Sequence, residues 1–389
     1  MGGLGALWSD TVRRNRAITL VVVAAAALVW PLFTSKTIHF YGALSAIYAL
    51  VALSLVILAG WTGQVSLGHA AFLGFGVYIG QKVLSAGVPV PIAVLTVAAF
   101  GAVISLALGI PSLRLRGVYL TIVTLAFGAA CQRYFFQLES VRGFRSSTVP
   151  RPSVLGISTA TDKGLYYVVL VVFAIAMFMA WNLRRSDTGR ALFAIRDSEE
   201  AAQALAVRIA PYKIGAFALS AALATTAGLF YGMLYGATPG PDQFGILQSF
   251  FLLALPVVGG LESLWGAVVG GAFLATAQPL VNVFHVRLFL ATSVALILVA
   301  LSGYDGVTGM IGALYRAVRD AFVGGERVRY GSFVPEAEAE TNGKAHVRVR
   351  LHLLGEAVPG SILRLRVRGA DAGARAAAGR RAAAGREQS

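Results

Sequence analysis

The chain has 389 residues, 57% hydrophobic and only 13% charged, with a mean hydropathy of +0.72. Soluble domains carry about 25% charged residues, so a soluble fold and a wholly disordered chain are both excluded. The formal net charge is +15, but up to residue 325 the charges lie between apolar runs, as in loops flanking membrane spans, and no basic face with base-contacting groups points to nucleic acid.

Membrane spans need about 20 apolar residues each, and the chain offers about ten. The first is 17–34, preceded by Arg13, Arg14 and Arg16. No small-x-small cleavage site follows Trp30-Pro31, so an uncleaved span is expected rather than a signal peptide. The others are roughly 40–59, 65–84, 89–110, 117–136, 164–182, 212–235, 247–259, 264–284 and 287–302. Runs 65–84 and 247–259 are short or interrupted by glycine, and broken spans are tolerated where they line a cavity rather than face lipid.

A cytoplasmic N-terminus (1–16) puts Arg114 and Arg116, the loop 183–211 and the C-terminal end on the cytoplasmic side. Loop 183–211 carries Arg184, Arg185, Arg190, Arg196 and Arg208, as the positive-inside rule requires. Loop 137–163 falls outside yet carries Arg142, Arg145, Arg151 and Lys163. The expected organisation is a transmembrane domain over 17–302, an end segment over 303–325 and a tail over 326–389. The tail reads Glu336-Ala-Glu-Ala-Glu340, then an Arg/Val/Leu stretch, then Ala/Gly/Arg low complexity from Gly369. It has too little apolar mass to fold alone, so disorder is expected, with a strand pair over 345–368 as the alternative.

Residues 60–80 hold a polar cluster at the mouth of a span: Thr62, Gln64, Ser66 and His69 among Gly60, Gly63, Gly68, Gly74, Gly76 and Gly80. Gln64, Ser66 and His69 bring hydrogen-bonding groups that lipid cannot satisfy, so they face protein or a water-filled path. From the residues alone, a packing helix with a polar entry competes with a substrate path. Thr121 and Thr124, in the span after Arg114 and Arg116, either bond across helices or line that path. Gly63-x-x-Ser66-Leu67 is echoed faintly by Gly260-x-x-Ser263-Leu264, and transporters are often built from repeats.

In loop 183–211, Leu192, Ile195, Ala202 and Leu205 fall on one helical face, and Asp197 followed by Glu200 resembles a capped helix start. This amphipathic element is too polar to insert, so it lies on lipid, docks into a partner groove or merely connects spans. Its mixed charge favours a protein partner over an anionic lipid surface. The chain has no Gly-x4-Gly-Lys-[Ser/Thr] phosphate loop and no His-Glu-x-x-His, and its five histidines are scattered. No catalytic residue, metal ligand or cofactor site is expected. No carboxylate lies centrally in a span, which weighs against an ion-coupled carrier.

These segments together resemble the permease of branched-chain amino-acid ABC importers, the LivM type, over about residues 40–300. The resemblance rests on Thr62-Gly63-Gln64-Val65-Ser66-Leu67-Gly68-His69-Ala70-Ala71-Phe72, and on Gly189 through Asp197 with Glu200-Ala201-Ala202 and Tyr212-Lys213. It rests also on Arg116-Gly117-Val118-Tyr119 with Thr124 to Phe127, on Gly259-Gly260-Leu261 with Ser263 to Gly266, and on Pro150-Arg151-Pro152. The chain departs from the family pattern at Ser54 (usually Asn), Glu262 (usually Gly) and Ala206 (commonly Gly). It also departs in the Arg142–Arg145 stretch and at residues 302–309.

The resemblance implies an all-α, multi-pass protein of the cell (inner) membrane with ABC importer permease architecture and no enzymatic activity of its own. It implies ATP-binding subunits, a second permease subunit in a heterodimer and an external solute-binding protein as partners. Gln64, Ser66, His69, Thr121 and Thr124 would then stand along the substrate path, and Arg190, Ile195, Glu200, Ala201, Ala202 and Leu205 would couple to the ATPase. Branched-chain amino acids are the expected solute, with another small polar solute (urea, amide or sugar) as the alternative and a passive channel as a further class.

Overall fold

Each expected span that falls within the described residues is a helix. The structure, a computed structural model, describes residues 36–112, 118–138, 148–154, 156–284, 306–310, 336–338, 346–353 and 356–366. The expected spans 17–34 and 287–302, the arginines at 114, 116, 142 and 145, and nearly all of 303–325 lie outside the described residues.

In chain order the helices are α1 (Lys36–Leu55, continued by a π-helical turn Val56–Gly60), α2 (His69–Ser85), α3 (Val90–Ser112) and α4 (Val118–Arg133). Next come α5 (Asp162–Arg185), the short pair α6 (Asp187–Asp197) and α7 (Glu199–Ala204), and α8 (Ile209–Tyr235). Last are α9 (Ile246–Gly259) and α10 (Leu264–Phe284). Among the described residues, four stretches are long and apolar enough to cross a membrane unaided: Thr37–Gly60, Val90–Gly109, Asp162–Arg185 and Ile209–Tyr235. Lipid offers backbone groups no partner, and a helix satisfies them within one segment.

The core sits around α1, against which α5, α8, α9 and α10 pack. Lipid and protein interior are equally apolar, so close backbone approach decides which helices meet. At the α2–α8 crossing, a Cβ on Gly76 would lie 2.8 Å from the Cα of Gly228, and the reverse contact is the same. At the α1–α10 crossing, Gly271 lies directly on the backbone of Ser45 and Ala49. Only glycine fits such contacts.

The end of the molecule away from α6 and α7 is closed by rings. Phe136 meets Phe75 edge-to-face at 5.0 Å and Tyr78 at a tilt at 5.0 Å, with Phe244 edge-on 5.9 Å away. Here Arg151 donates to the carbonyls of Met233 and Leu234 at the C-terminus of α8, and pairs with Asp162 at 2.9 Å. Helix C-termini attract cations. One basic residue of loop 137–163 therefore serves as a helix cap, which accounts for its charge without reference to sidedness.

The chain divides into two compact units, residues 1–317 and 318–389. The second contains an antiparallel sheet in the order β1 (Glu336–Glu338), β2 (His346–Leu353), β3 (Glu356–Arg366). Arg350 stands opposite both Glu336 and Ile362. Strands β2 and β3 occupy the stretch where alternation suggested a strand pair, and β1 joins them from the Glu/Ala run.

Candidate functional site

The expected span 65–84 begins late: residues 63–68 are non-helical, and α2 starts only at His69. Gly63, at φ +69°, takes the chain out of the helical direction of α1. Side chains then hold this segment on every side. Thr62 Oγ1 donates to the carbonyl of Leu58 at 2.5 Å, and Gln64 Nε2 donates to Thr62 Oγ1 at 3.1 Å and to the Lys213 carbonyl at 3.4 Å. From α4, Thr121 Oγ1 donates to the Val65 carbonyl at 3.1 Å, and Thr124 Oγ1 accepts from the Leu67 N–H at 3.0 Å. Ser249 Oγ, on α9, accepts from the Ala70 N–H at 3.3 Å.

His69 is fully buried and bridges two serines: Nδ1 lies 3.1 Å from Ser66 Oγ and Nε2 lies 2.9 Å from Ser220 Oγ. The donors can be ordered. Ser220 spends its proton on the Ser54 carbonyl at 2.7 Å, so its oxygen accepts from His69 Nε2–H. Nδ1 is then the bare nitrogen and accepts from Ser66 O–H, whose oxygen in turn faces the Gly68 N–H at 3.4 Å. One continuous chain of hydrogen bonds thus joins the break to α8 and α1, and for a neutral ring it selects the Nε2–H tautomer.

At the opposite border of the break lie α6 and α7. Ser186 caps α6, accepting from the Gly189 N–H at 3.2 Å, and Ser198 caps α7, accepting from the Ala201 N–H at 3.2 Å. The expected single element is therefore two helices hinged at Ser198, and that serine, not Asp197, is the cap. Leu192, Ile195 and Ala202 are buried as expected, but Leu205 is 77% exposed. Leu205 lies just past the last helical residue of α7, where the chain turns into the left-handed Ala206, so it leaves the face that Ala202 keeps. Glu199 pairs with Lys213 at the start of α8, and Arg190 pairs with Asp187 on the open side of α6. Glu200 and Ala201 are exposed.

A second break follows α9. Gly260, at φ +122°, ends that helix, and residues 260–263 lead into α10. The Gly-x-x-Ser-Leu echo thus marks two breaks of the same kind, each opened by a glycine at positive φ. Arg196, near the end of α6, reaches both: Nη1 donates to the Gly60 carbonyl at 2.7 Å and Nη2 lies 2.5 Å from Glu262 Oε1. Trp61 adds a second strand to the joint, with Nε1 3.4 Å from the Glu262 carbonyl and its ring 5.9 Å from Phe193.

Sequence reasoning picked out five polar residues of the first break, and the structure brings all five to it: Gln64, Ser66, His69, Thr121 and Thr124. It missed Ser220 and Ser249, whose only signal is a hydroxyl inside an otherwise apolar run, and named Ser54, which enters through its carbonyl, only as a departure from the family pattern. It quoted Arg196 and Glu262 without pairing them, because 66 positions of sequence separate them.

Apolar helices with two interrupted spans, both joined to an amphipathic helix outside the bundle, are the architecture of an integral membrane protein. The sequence matches the model of the family described as branched-chain amino acid transport system / permease component over residues 37–301. The chain belongs to that family. It is similar to the high-affinity branched-chain amino acid transport system permease protein LivM of Escherichia coli (strain K12), at 30% identity over 72% of each chain. The protein of the same name from Salmonella typhimurium (strain LT2) is 29% identical over the same shares. The autoinducer 2 import system permease protein LsrC of Escherichia coli O9:H4 (strain HS) is 23% identical, over 76% of this chain and 88% of that one. No solved structure matches.

Proposed function

We propose that this chain is the membrane-spanning permease subunit of an ATP-driven importer for branched-chain amino acids. In this reading α6 and α7 dock on a separate ATP-binding subunit at the cytoplasmic face. A second permease subunit and an external solute-binding protein complete the importer. The observation that carries the reading is the joint just described: one exposed helix pair touches both breaks in the bundle. A push from a partner on that pair reaches two places among the described residues where the spans are interrupted. The printed names of the LivM relatives supply the solute class.

Within this reading the docking surface divides by burial. Ile195 and Ala202 anchor the helix pair on the bundle, while Arg190, Glu200, Ala201 and Leu205 face the partner. The solute passes beside the first break. Gln64, Ser66, His69, Thr121 and Thr124 shape that passage from behind, each holding the segment 63–68 open against collapse into a helix. ATP binding to the partner shifts the balance between outward- and inward-open states only by contacts that differ between them. Docked α6 and α7 are where those contacts form.

The test is uptake of radiolabelled leucine by cells with and without this chain and its co-expressed partners. ATP-dependent uptake, with an ATP-binding subunit co-purifying, supports the whole reading. Co-purification without leucine uptake keeps the permease and moves the search to urea, amides and sugars. Leu205→Asp alters an exposed side chain, so the bundle folds while the ATP-binding subunit is lost. Retention of that subunit at wild-type yield would remove α7 from the docking surface.

A further inference from the structure

We propose that Arg196 is the positioning residue that makes the two breaks move as one, through its paired contacts to Gly60 and Glu262. The proposal rests on the importer reading and names how motion would pass through its site. Both contacts come from one guanidinium. Nη1 binds the Gly60 carbonyl at 2.7 Å and Nη2 binds Glu262 Oε1 at 2.5 Å. A guanidinium is a planar fork with fixed donor directions, so the two acceptors are held at a set separation. A lysine ammonium is a point charge and does not impose that separation.

The surroundings fit a mechanical joint better than a stabilising ion pair. The side chains of Arg196 and Glu262 are 28% and 42% exposed, a setting in which an isolated pair contributes little. The value of the contact lies in what it joins. Gly60 ends the π-helical turn of α1, and its carbonyl is an end group that the helix cannot satisfy by itself. Such π turns concentrate at functional places. Gly60 also lies against the Leu261 carbonyl, so the two breaks already touch through backbone. Gly63 lies along the Arg196 stem, with a Cβ there 3.5 Å from Arg196 Cγ. Arg196 therefore grips one break with its stem and both with its head. Its own helix is anchored by Leu192 and Ile195, and its far side is open to a partner. Displacement of α6 reaches both breaks directly through this residue and the adjoining Trp61–Phe193 contact, whereas the Glu199–Lys213 pair leads only to Gln64 of the first break.

The experiment uses the full complex in lipid nanodiscs, with Arg196→Gln, Arg196→Lys and Glu262→Gln. Two readouts are taken: solute imported per ATP hydrolysed, and hydrogen exchange at residues 60–64 and 260–264. In Arg196→Gln, import per ATP falls about tenfold while the ATP-binding subunit still co-purifies, as expected from loss of a charged hydrogen bond at the joint. Exchange speeds up at both breaks together. Arg196→Lys fails almost as badly, since it keeps the charge and loses the fork. Glu262→Gln loses less, and its exchange rises at 260–264 alone. Wild-type coupling in Arg196→Gln, full rescue by lysine, or exchange that changes at only one break in Arg196→Gln would each overturn the proposal. A wild-type complex that imports nothing sinks the importer reading instead, and the exchange pattern then decides the joint by itself.

Discussion

Helices α1 and α3 are equally apolar and live in different places. The spanning window of Thr37–Gly60 has a mean hydropathy of 2.3 and is 89% buried inside the protein, whereas that of Val90–Gly109 has 2.4 and is 28% buried. In water, such helices would compete for the core on equal terms. In lipid, apolarity gives no reason to leave the solvent, and small residues and hydrogen bonds choose the centre. Helix α1 has both: Gly271 of α10 presses on its backbone, and its Ser54 carbonyl takes the Ser220 hydroxyl. Helix α3 has one such seam, where Gly101 meets Thr225 and Thr225 Oγ1 donates to the Val97 carbonyl at 2.9 Å. Its other side shows Leu95 and Val103, 69% and 63% exposed.

The comparison breaks hardest at the glycine crossings. Gly76→Leu places a side chain on the Thr225 carbonyl and the Gly228 Cα, so α2 and α8 must separate. Overpacking costs about 1–3 kcal/mol and more where backbone must move, so this variant is expected at or above the upper end. The readout is the yield of monodisperse protein in detergent and its thermal midpoint. Val103→Leu adds one methylene on the open face of α3 and leaves both unchanged. Equal damage from the two would mean that the α3 face is packed and not open.

A charge sharpens the same point. Val103→Arg puts a guanidinium on the face of α3 assigned to lipid, at a cost of about 2.5–3.5 kcal/mol for a central position. Insertion efficiency measured by glycosylation mapping should fall accordingly. Normal insertion would show that this face meets water or a polar partner.

The next effect in size is at the break. His69→Ala leaves the Ser66 hydroxyl proton without its acceptor and takes the imidazole donor from the Ser220 oxygen, whose own proton stays on the Ser54 carbonyl, at about 1–3 kcal/mol for a buried group left unpaired. His69→Gln keeps a donor near the Nε2 position for Ser220 but has no acceptor at the Nδ1 position for Ser66, so it should recover part of that loss. Thermal midpoints of the two variants in one detergent decide it. Equal midpoints for alanine and glutamine would mean that the Ser220 bond contributes nothing.

These magnitudes explain what the sequence could reveal. Spans are legible because about 20 apolar residues in a row have few other readings. The first break is legible because Thr62, Gln64, Ser66 and His69 crowd one short stretch with four glycines between Gly60 and Gly74. The centre of the bundle is not legible from hydropathy, as α1 and α3 demonstrate. Nor is the Arg196 joint, since each of its members alone resembles an ordinary loop charge. The direction of Leu205 escaped because a helical wheel assumes that the helix continues, and α7 ends at Ala204, one residue short of it.

The smallest expected effect is a gain, at the one non-glycine residue with positive φ among the described residues. Ala206 sits at φ +60°, just past the end of α7. Its N–H bonds to the Gln203 carbonyl at 2.9 Å, and the N–H of Val207 reaches back to the Ala202 carbonyl at 3.0 Å. Those two bonds define a left-handed helix cap, a position where glycine is normally favoured. A Cβ in this conformation costs about 1–2 kcal/mol. Some of the relief is offset by the extra freedom of glycine in the unfolded chain. Ala206→Gly should therefore steady the end of α7 by about 1 kcal/mol or less, slowing hydrogen exchange at Leu205–Val207 several-fold. The change falls on the docking helices and leaves the bundle untouched, so thermal midpoints should stay flat while local exchange moves. Faster exchange in the glycine variant would mean that the alanine methyl is held by a contact worth more than the strain it causes.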